Sequence, residues 1–152
     1  MPPKGIAVER LQMVIRRVQS GFSAFYAATL DPHGVSFSQF TVLMSLAQEH
    51  SRKMSDVAKL LRVTLPAVTK LIDRLEQRGF VRRKPHTTDR RITLVDLSPK
   101  GLALVEQTQG RTLRLLTQAV RGLSIQEQQA VVEFMEALGK RIWTEIDEQV
   151  SG

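Results

Sequence analysis

The 152-residue sequence contains no cysteine. That absence excludes disulfides, thiolate zinc sites, iron–sulfur clusters and any cysteine nucleophile or thiol redox switch. Charged residues interrupt every hydrophobic segment, so no stretch reaches the roughly 18 apolar residues of a transmembrane helix. Met1-Pro2-Pro3-Lys4 leads into a charged amphipathic pattern and not into the apolar block of a signal peptide. We therefore expect a soluble, cytoplasmic protein with no membrane partner.

Signals of catalysis are also missing. The three histidines, His33, His50 and His86, are scattered, and none of the nine glycines forms a phosphate-binding loop. The sequence has no His-Glu-x-x-His motif and no carboxylate cluster. We expect no enzyme, no metal site and no cofactor. The length and the 42% hydrophobic content fit one domain over residues 1–152. A core of this size needs no disulfide or metal for stability.

What the sequence does contain is a concentrated positive charge. The net charge is +7, but residues 52–100 hold 13 basic and 5 acidic residues, and the remainder holds 9 basic and 10 acidic residues. The middle third therefore carries the whole excess. A solvated surface is the simpler interpretation, but an excess confined to one third of the chain favours a nucleic-acid footprint.

Hydrophobic periodicity and capping signals predict a mainly α-helical chain with one β-hairpin. Ser36 with Gln39 and Ser124 with Glu127 have the spacing of capping boxes, and Gly79 ends a helix. Predicted helices cover 6–30, 36–50, 55–62, 64–79, 98–121 and 124–150, and predicted strands cover 80–84 and 92–97. The stripes expected to face inward include Val57, Ala58, Leu60 and Leu61 in the third helix, Leu102 and Val105 in the fifth, and Val131, Phe134, Leu138, Ile142 and Ile146 in the last.

The short helix, tight turn and helix between Ser55 and Gly79 have the geometry of a helix-turn-helix, and the basic hairpin after them would be a two-stranded wing. On the exposed face of the second helix, Thr69 and Lys70 can hydrogen-bond to bases. Pro66 and Ala67 can contact a thymine methyl group, and Arg74 can reach a phosphate. The alternative is that these are ordinary exposed helix residues and that Pro66 only starts the helix.

The wing tip carries Asp89, Arg90 and Arg91. A guanidinium at a protruding tip can enter the narrow minor groove, and we place Arg91 there. Asp89 would repel phosphate, so we expect it to pair with an arginine and orient it. The cluster of Arg82, Arg83 and Lys84 on the preceding strand is electrostatically unfavourable without an anion, and we expect these residues and Arg90 to contact phosphates. The alternative is a solvated hairpin end with a weak local ion pair.

The run from Ser38 to Gly101 resembles the core of the MarR family, the multiple antibiotic resistance regulators. The similarity lies in Gln39-Phe40-Thr41-Val42-Leu43, in Val57-Ala58-Lys59-Leu60-Leu61, in the run from Val68 to Arg83, and most specifically in Asp89-Arg90-Arg91 followed by Leu97-Ser98-Pro99-Lys100-Gly101. The sequence departs from the family pattern at Leu65-Pro66-Ala67, where polar residues are frequent, and this leaves the operator sequence open.

The resemblance implies a winged helix-turn-helix homodimer on a pseudo-palindromic operator, usually acting as a repressor. It implies a DNA-binding lobe at 35–101 and dimerisation helices at 6–30 and 98–150, with Asp89 and Arg91 at the wing tip. The apolar faces of the two C-terminal helices and of residues 11–26 also favour a dimer, although helices packing within one chain is the alternative.

The resemblance further implies a ligand pocket between the dimerisation helices and the DNA-binding lobe, for a small aromatic or lipophilic effector. The pocket residues would be Phe22, Phe25, Tyr26, Phe40 and Met44, although an aromatic stripe of this kind is more often core. The overall prediction is a sequence-specific, double-stranded DNA-binding transcriptional regulator, a repressor released by a small ligand. The alternative is a sequence-tolerant architectural or RNA-binding winged-helix protein, which the scarcity of exposed aromatic residues disfavours.

Overall fold

The computed structural model describes residues 8–151 of the chain. The predicted features at Met1-Pro2-Pro3-Lys4 and at positions 6 and 7 lie outside the described residues. The elements are helix α1 (Val8–Leu30), a 3-10 turn (Asp31–His33), α2 (Phe37–Glu49), strand β1 (Ser51–Lys53), α3 (Met54–Leu61), α4 (Leu65–Gln77), β2 (Val81–Pro85), β3 (Thr93–Leu97), α5 (Pro99–Ala119) and α6 (Ile125–Ser151). The described residues up to Gln109 form one compact unit, and those from Gly110 onward form a second.

Both predicted capping boxes are confirmed. Before α2, the backbone N–H of Gln39 donates to Ser36 Oγ at 3.2 Å, and the N–H of Ser36 donates to Gln39 Oε1 at 2.9 Å. Before α6, Ser124 and Glu127 exchange equivalent bonds of 2.7 and 3.2 Å. The backbone and side-chain hydrogen bonds from Ser124 lower the pKa of Glu127. Each reciprocal pair satisfies two backbone donors that the helix itself leaves free.

The predicted two-stranded ribbon is confirmed as β2 and β3. The sheet has a third antiparallel strand, β1, in the order β1-β3-β2, and that strand was not predicted. β3 lies in the centre, and Arg52 on β1 and Arg83 on β2 both pair with Val95. β1 has only three residues, Ser51-Arg52-Lys53, and none of them is a strong β-former. Pairing with a strand distant in the chain forms β1, and no local pattern predicts such a pairing.

The core of the first unit lies where α2 and α4 meet the sheet and the start of α5. Phe40, Leu43, Val57, Val95 and Val105 are among its fully buried side chains. Two of the predicted core positions are wrong, because Leu60 is 40% exposed and Leu102 is 42% exposed. On α3 the other predicted positions, Val57, Ala58 and Leu61, do face the core, and only Leu60 does not. On α5 the buried residues are Gly101, Leu104, Val105 and Thr108.

In the second unit, the apolar stripe of α6 is largely exposed within a single chain. Val131, Phe134 and Ile142 are 49%, 50% and 45% exposed. The expectation that this stripe is buried is therefore not met by the chain's own contacts. None of the helices within residues 8–151 is both long and apolar enough to cross a membrane.

Candidate nucleic-acid interface

A tight turn joins α3 to α4. The backbone N–H groups of Arg62 and Val63 donate to Lys59 O and Ala58 O, both at 3.1 Å, and Arg62 takes a left-handed conformation with φ 52°. α4 then begins at Leu65 and presents Val68, Ile72 and Leu75 to the core. The turn and this stripe fix which face of α4 remains in solvent, as in a helix-turn-helix.

All five predicted contact residues on α4 lie on that solvent face: Pro66, Ala67, Thr69, Lys70 and Arg74 are exposed. Pro66 lies in the first turn, as predicted, where its missing N–H removes no helical hydrogen bond. Thr64 occupies the predicted N-cap position, but its side chain makes no capping hydrogen bond. The Thr69 hydroxyl donates to Leu65 O at 3.0 Å.

At the wing tip, Asp89 pairs with Arg91. Its Oδ1 accepts from the Arg91 backbone N–H at 3.0 Å and from Nε at 3.2 Å, and its Oδ2 accepts from Nη2 at 3.4 Å. The side-chain bond from Arg91, followed by the backbone bond, lowers the pKa of Asp89. The Arg91 side chain is 91% exposed, and Arg90 is exposed beside it. The tip therefore presents one tethered guanidinium and one that makes no ion pair within residues 8–151.

The basic cluster on β2 is not used as the sequence suggested. Arg82 is exposed, but Arg83 binds Asp73 Oδ1 at 2.6 Å and Glu76 Oε2 at 2.5 Å. The sequence argument that the whole cluster needs an external anion is therefore wrong, because carboxylates on α4 supply the counter-charge. Their separation of seven and ten positions from Arg83 has no signature in the sequence.

Lys84 also has an internal partner, Asp96 on the neighbouring strand β3, with a nitrogen–oxygen distance of 2.5 Å. Burial of the Asp96 carboxyl opposes its ionisation, but its hydrogen bond with Lys84 and the positive charge of that side chain contribute to a net lowering of the pKa. Arg83 and Lys84, which were expected to contact phosphates, thus make internal ion pairs.

A groove of about 580 Å³ separates the first turn of α4 from the base of the wing. Its walls include Lys53, Leu65, Thr69, Arg83 and Arg91, so the fold brings a predicted base-reading residue and the predicted minor-groove arginine to one surface. Lys53 lies on β1. It was not predicted as a residue of this surface, because strand β1 was not predicted.

The aromatic residues proposed to line a ligand pocket form one cluster around Tyr26. Its ring centroid lies 6.4 Å from Phe22, 5.3 Å from Phe25 and 6.0 Å from Phe40. Phe37, which was not predicted to line the pocket, is nearer at 4.8 Å. Phe40 is only 1% exposed and belongs to the core, and the partly buried Met44 packs against that core.

Comparison with known proteins places this architecture in a family. Residues 35–93 match the family model described as "MarR family". The chain is 32% identical over 106 residues to the multiple antibiotic resistance protein MarR of Salmonella typhimurium, and the match covers 70% of this chain and 74% of that protein.

Two solved structures are similar over most of the chain. A mutant of MarR from Escherichia coli, complexed with operator DNA, is 27% identical with a TM-score of 0.68, and the match covers 86% of this chain and 94% of that one. BpsR of Bordetella bronchiseptica, whose structure concerns the regulation of DNA binding by 6-hydroxynicotinic acid, is 26% identical with a TM-score of 0.66, and the match covers 86% and 98%. With its helix-turn-helix, its wing and these relatives, the chain belongs to the MarR family.

Proposed function

We propose that the protein is a sequence-specific, double-stranded DNA-binding transcriptional regulator that acts as a homodimer on a pseudo-palindromic operator in the cytoplasm. The observation that carries this proposal is the shared surface of α4 and the wing. Thr69 of α4 borders one groove together with the cations Lys53, Arg83 and Arg91 of the sheet and wing. The carboxylates of Asp73, Glu76 and Asp96 are held in ion pairs. A polyanion can approach this face without meeting unpaired negative charge.

The proposal gives a role to each predicted DNA-contact residue of α4 and the wing. The exposed face of α4 enters the major groove, where Thr69 and Lys70 contact base edges and Pro66 and Ala67 lie against them. Arg91 enters the adjacent minor groove in the orientation set by Asp89. Arg74, Arg82 and Arg90 are exposed and make no ion pair within the described part of the chain, so they remain available for phosphates.

The homodimer part of the proposal rests on the exposed apolar stripe of α6 and on half-exposed residues of α1 such as Val14 and Val18. Within the single domain at 1–152, we assign DNA binding to residues 35–101 and dimerisation to 6–30 and 98–150. A second copy would remove the stripe from contact with water. It would also double the DNA contact area, and the area of one module alone is small for tight, specific binding.

Repression relieved by a small aromatic or lipophilic effector is the regulatory part of the proposal. BpsR, a relative, is regulated by 6-hydroxynicotinic acid. In this chain the ligand would contact Phe22, Phe25 and Tyr26, beside Phe40 and Met44. A panel of small aromatic acids and phenols should include a compound that releases the parent from its operator at a concentration that leaves the Tyr26→Ala variant bound. If no compound distinguishes the two proteins, the pocket assignment is wrong.

We assign the protein no catalytic role and no cofactor.

Selection of bound duplexes from a random-sequence library tests the central proposal. The expected product is a two-fold symmetric motif with half-sites about one helical turn apart, bound with an affinity that falls steeply as salt increases. Recovery of no motif, or equal affinity for structured RNA of the same length, would favour a sequence-tolerant or RNA-binding protein and would overturn the proposal.

A further inference from the structure

The first turn of α4 exposes apolar surface where a DNA-reading helix meets base edges. Leu65 is 50% exposed, and Pro66 and Ala67 are exposed beside it. None of these three side chains has a polar atom. The first polar side chain of α4 is Thr69, and its hydroxyl proton is already donated to Leu65 O at 3.0 Å. The first turn therefore has no side-chain hydrogen-bond donor to offer a base.

The two carboxylates of α4 are engaged in ion pairs. Asp73 is held by the Arg83 guanidinium at 2.6 Å, and Glu76 binds the same guanidinium at 2.5 Å. An acceptor of this kind would read the cytosine amino group if it were free. Lys70, one turn beyond the apolar residues, is exposed and makes no ion pair in the described part of the chain. Direct polar reading by α4 thus begins one turn after its N-terminus.

The surroundings of this apolar surface favour DNA over an apolar protein partner. Leu65 lines the groove of about 580 Å³ that Lys53 and Arg91 also line. Residues 52–100 carry 13 basic and 5 acidic residues. An occupant must therefore combine high negative charge with small exposed apolar groups, and B-DNA rich in thymine has both.

Thymine is the only base that places an apolar group, the C5-methyl, in the major groove. The other base edges there are donors and acceptors, which lose hydration without replacement when an apolar side chain covers them. We propose that Leu65, Pro66 and Ala67 recognise thymine 5-methyl groups, so that each operator half-site carries one or two thymines opposite the first turn of α4. This inference rests on the proposed function and adds the base chemistry that the site prefers.

Deoxyuridine substitution tests the proposal on the DNA side. Deoxyuridine differs from thymidine only by the missing methyl group, so base pairing and the charged backbone are kept. Each thymine of the selected operator is replaced in turn, and the equilibrium Kd of the full-length dimer is measured for each duplex. One or two positions in each half-site should weaken binding about fourfold per methyl, and the symmetric double replacement about fifteenfold. Thymines outside the half-sites supply the control and should change Kd by less than about twofold.

Three variants test which side chains make the contact. Leu65→Ala and Pro66→Ala remove apolar carbons and introduce alanine, which favours the helix. At least one of the two variants should abolish the loss of affinity caused by deoxyuridine at a single position. Lys70→Ala is the matched control on the same helix. It should weaken binding to every duplex and leave the uridine penalty intact.

The outcomes separate this inference from the function on which it rests. A selected motif in which no uridine position changes Kd leaves the regulator assignment standing and overturns methyl recognition. A uridine penalty that persists in both Leu65→Ala and Pro66→Ala overturns the assignment to the first turn of α4. Failure to select any motif overturns the proposed function itself. The uridine series on the parent protein needs no variant, so misfolding of a variant does not prevent the test.

Discussion

At the wing tip, two adjacent arginines are held in different ways. Arg91 is tied to Asp89 through its backbone N–H and through its guanidinium, whereas Arg90 makes no ion pair within residues 8–151. A tether of this kind reduces the rotamer freedom that a long side chain loses on binding. Because hydrogen bonds from Arg91 lower the pKa of Asp89 below its ordinary value of 3.8, the carboxylate is charged at neutral pH and the pair is lost only as the pH falls through the lowered pKa.

Arg91→Ala should weaken operator binding by about 1–3 kcal/mol, because it removes the guanidinium proposed for the minor groove. Asp89→Ala gives the sharper test. Removal of a negative charge near DNA should strengthen binding by simple electrostatics, but loss of the tether should weaken it, and we expect the weakening to dominate. Fluorescence anisotropy titrations at neutral pH measure both effects, with Arg90→Ala as the control for loss of one phosphate contact. Tighter operator binding by Asp89→Ala would contradict an orienting role.

At the scale of elements, Arg83 connects the wing to the recognition helix. Its guanidinium binds Asp73 and Glu76 on α4, and its backbone N–H donates to Glu76 Oε1 at 2.9 Å. Its side chain is 24% exposed. Arg83 is therefore a polar link between β2 and α4 that adds to the core contacts of Leu75, Phe80 and Val81.

Arg83→Met should lower the free energy of unfolding by about 1 kcal/mol, since both ion pairs are partly solvent-screened. It should also weaken operator binding, because the wing would lose its ion pairs with α4. Lys84→Met is the matched control: it removes the same charge from the same strand and breaks only the pair with Asp96. Urea unfolding and operator titrations measure both variants. Equal losses of affinity in the two variants would show that net charge, and not the link to α4, is what matters.

Replacing each of two glycines of α5 by alanine should have opposite effects on the free energy of unfolding. A Cβ on Gly101 would collide with the backbone oxygen of Phe80 and lie 2.7 Å from Leu97 Cδ1. A Cβ on Gly110 would meet only Arg114 Nη1, at 3.8 Å. Gly101→Ala should therefore destabilise by about 1–3 kcal/mol, and Gly110→Ala should stabilise by up to about 1 kcal/mol. Urea unfolding compares them. Destabilisation by Gly110→Ala would show that a close contact or a bend requires glycine there.

The elements differ in how far the sequence predicts them. Long periodic helices and reciprocal caps such as Ser124 with Glu127 are local features, and their prediction is confirmed. β1 and the partners of Arg83 depend on residues distant in the chain, so the sequence does not reveal them. The exposed face of α4 follows from the position of its buried stripe. The close approach of Gly101 to Phe80 has no sequence signal, since any helix could carry a glycine there.

At the scale of the whole molecule, the excess positive charge and most of the exposed large apolar side chains lie in different parts of the chain. The basic excess is confined to residues 52–100. The most exposed apolar residues of the second unit are on α6, where Ile125 is 83% exposed and Val150 is 79% exposed. Large exposed apolar surface on a helix marks an interaction site. This separation fits one region that binds DNA and another that joins two copies.

Ile142→Glu should convert the dimer into monomer, because it places a charge within the apolar stripe of α6. Thr144→Glu adds the same charge two residues later, on the opposite face of the helix, and should leave the dimer intact. Sedimentation equilibrium should give close to twice the 17.1 kDa chain mass for the parent and for Thr144→Glu. A monomeric parent at micromolar concentration, or an unaffected Ile142→Glu dimer, would show that this stripe is not the interface.

The most direct test of the account is the affinity of the dimer for the selected operator compared with a version lengthened by half a helical turn, about five base pairs, between the half-sites. The insertion keeps every base of both half-sites but turns one to the opposite side of the duplex. The account predicts that affinity falls by at least about a hundredfold, towards that of unrelated DNA. Equal affinity for the two duplexes would contradict a two-fold dimer that reads both half-sites at once.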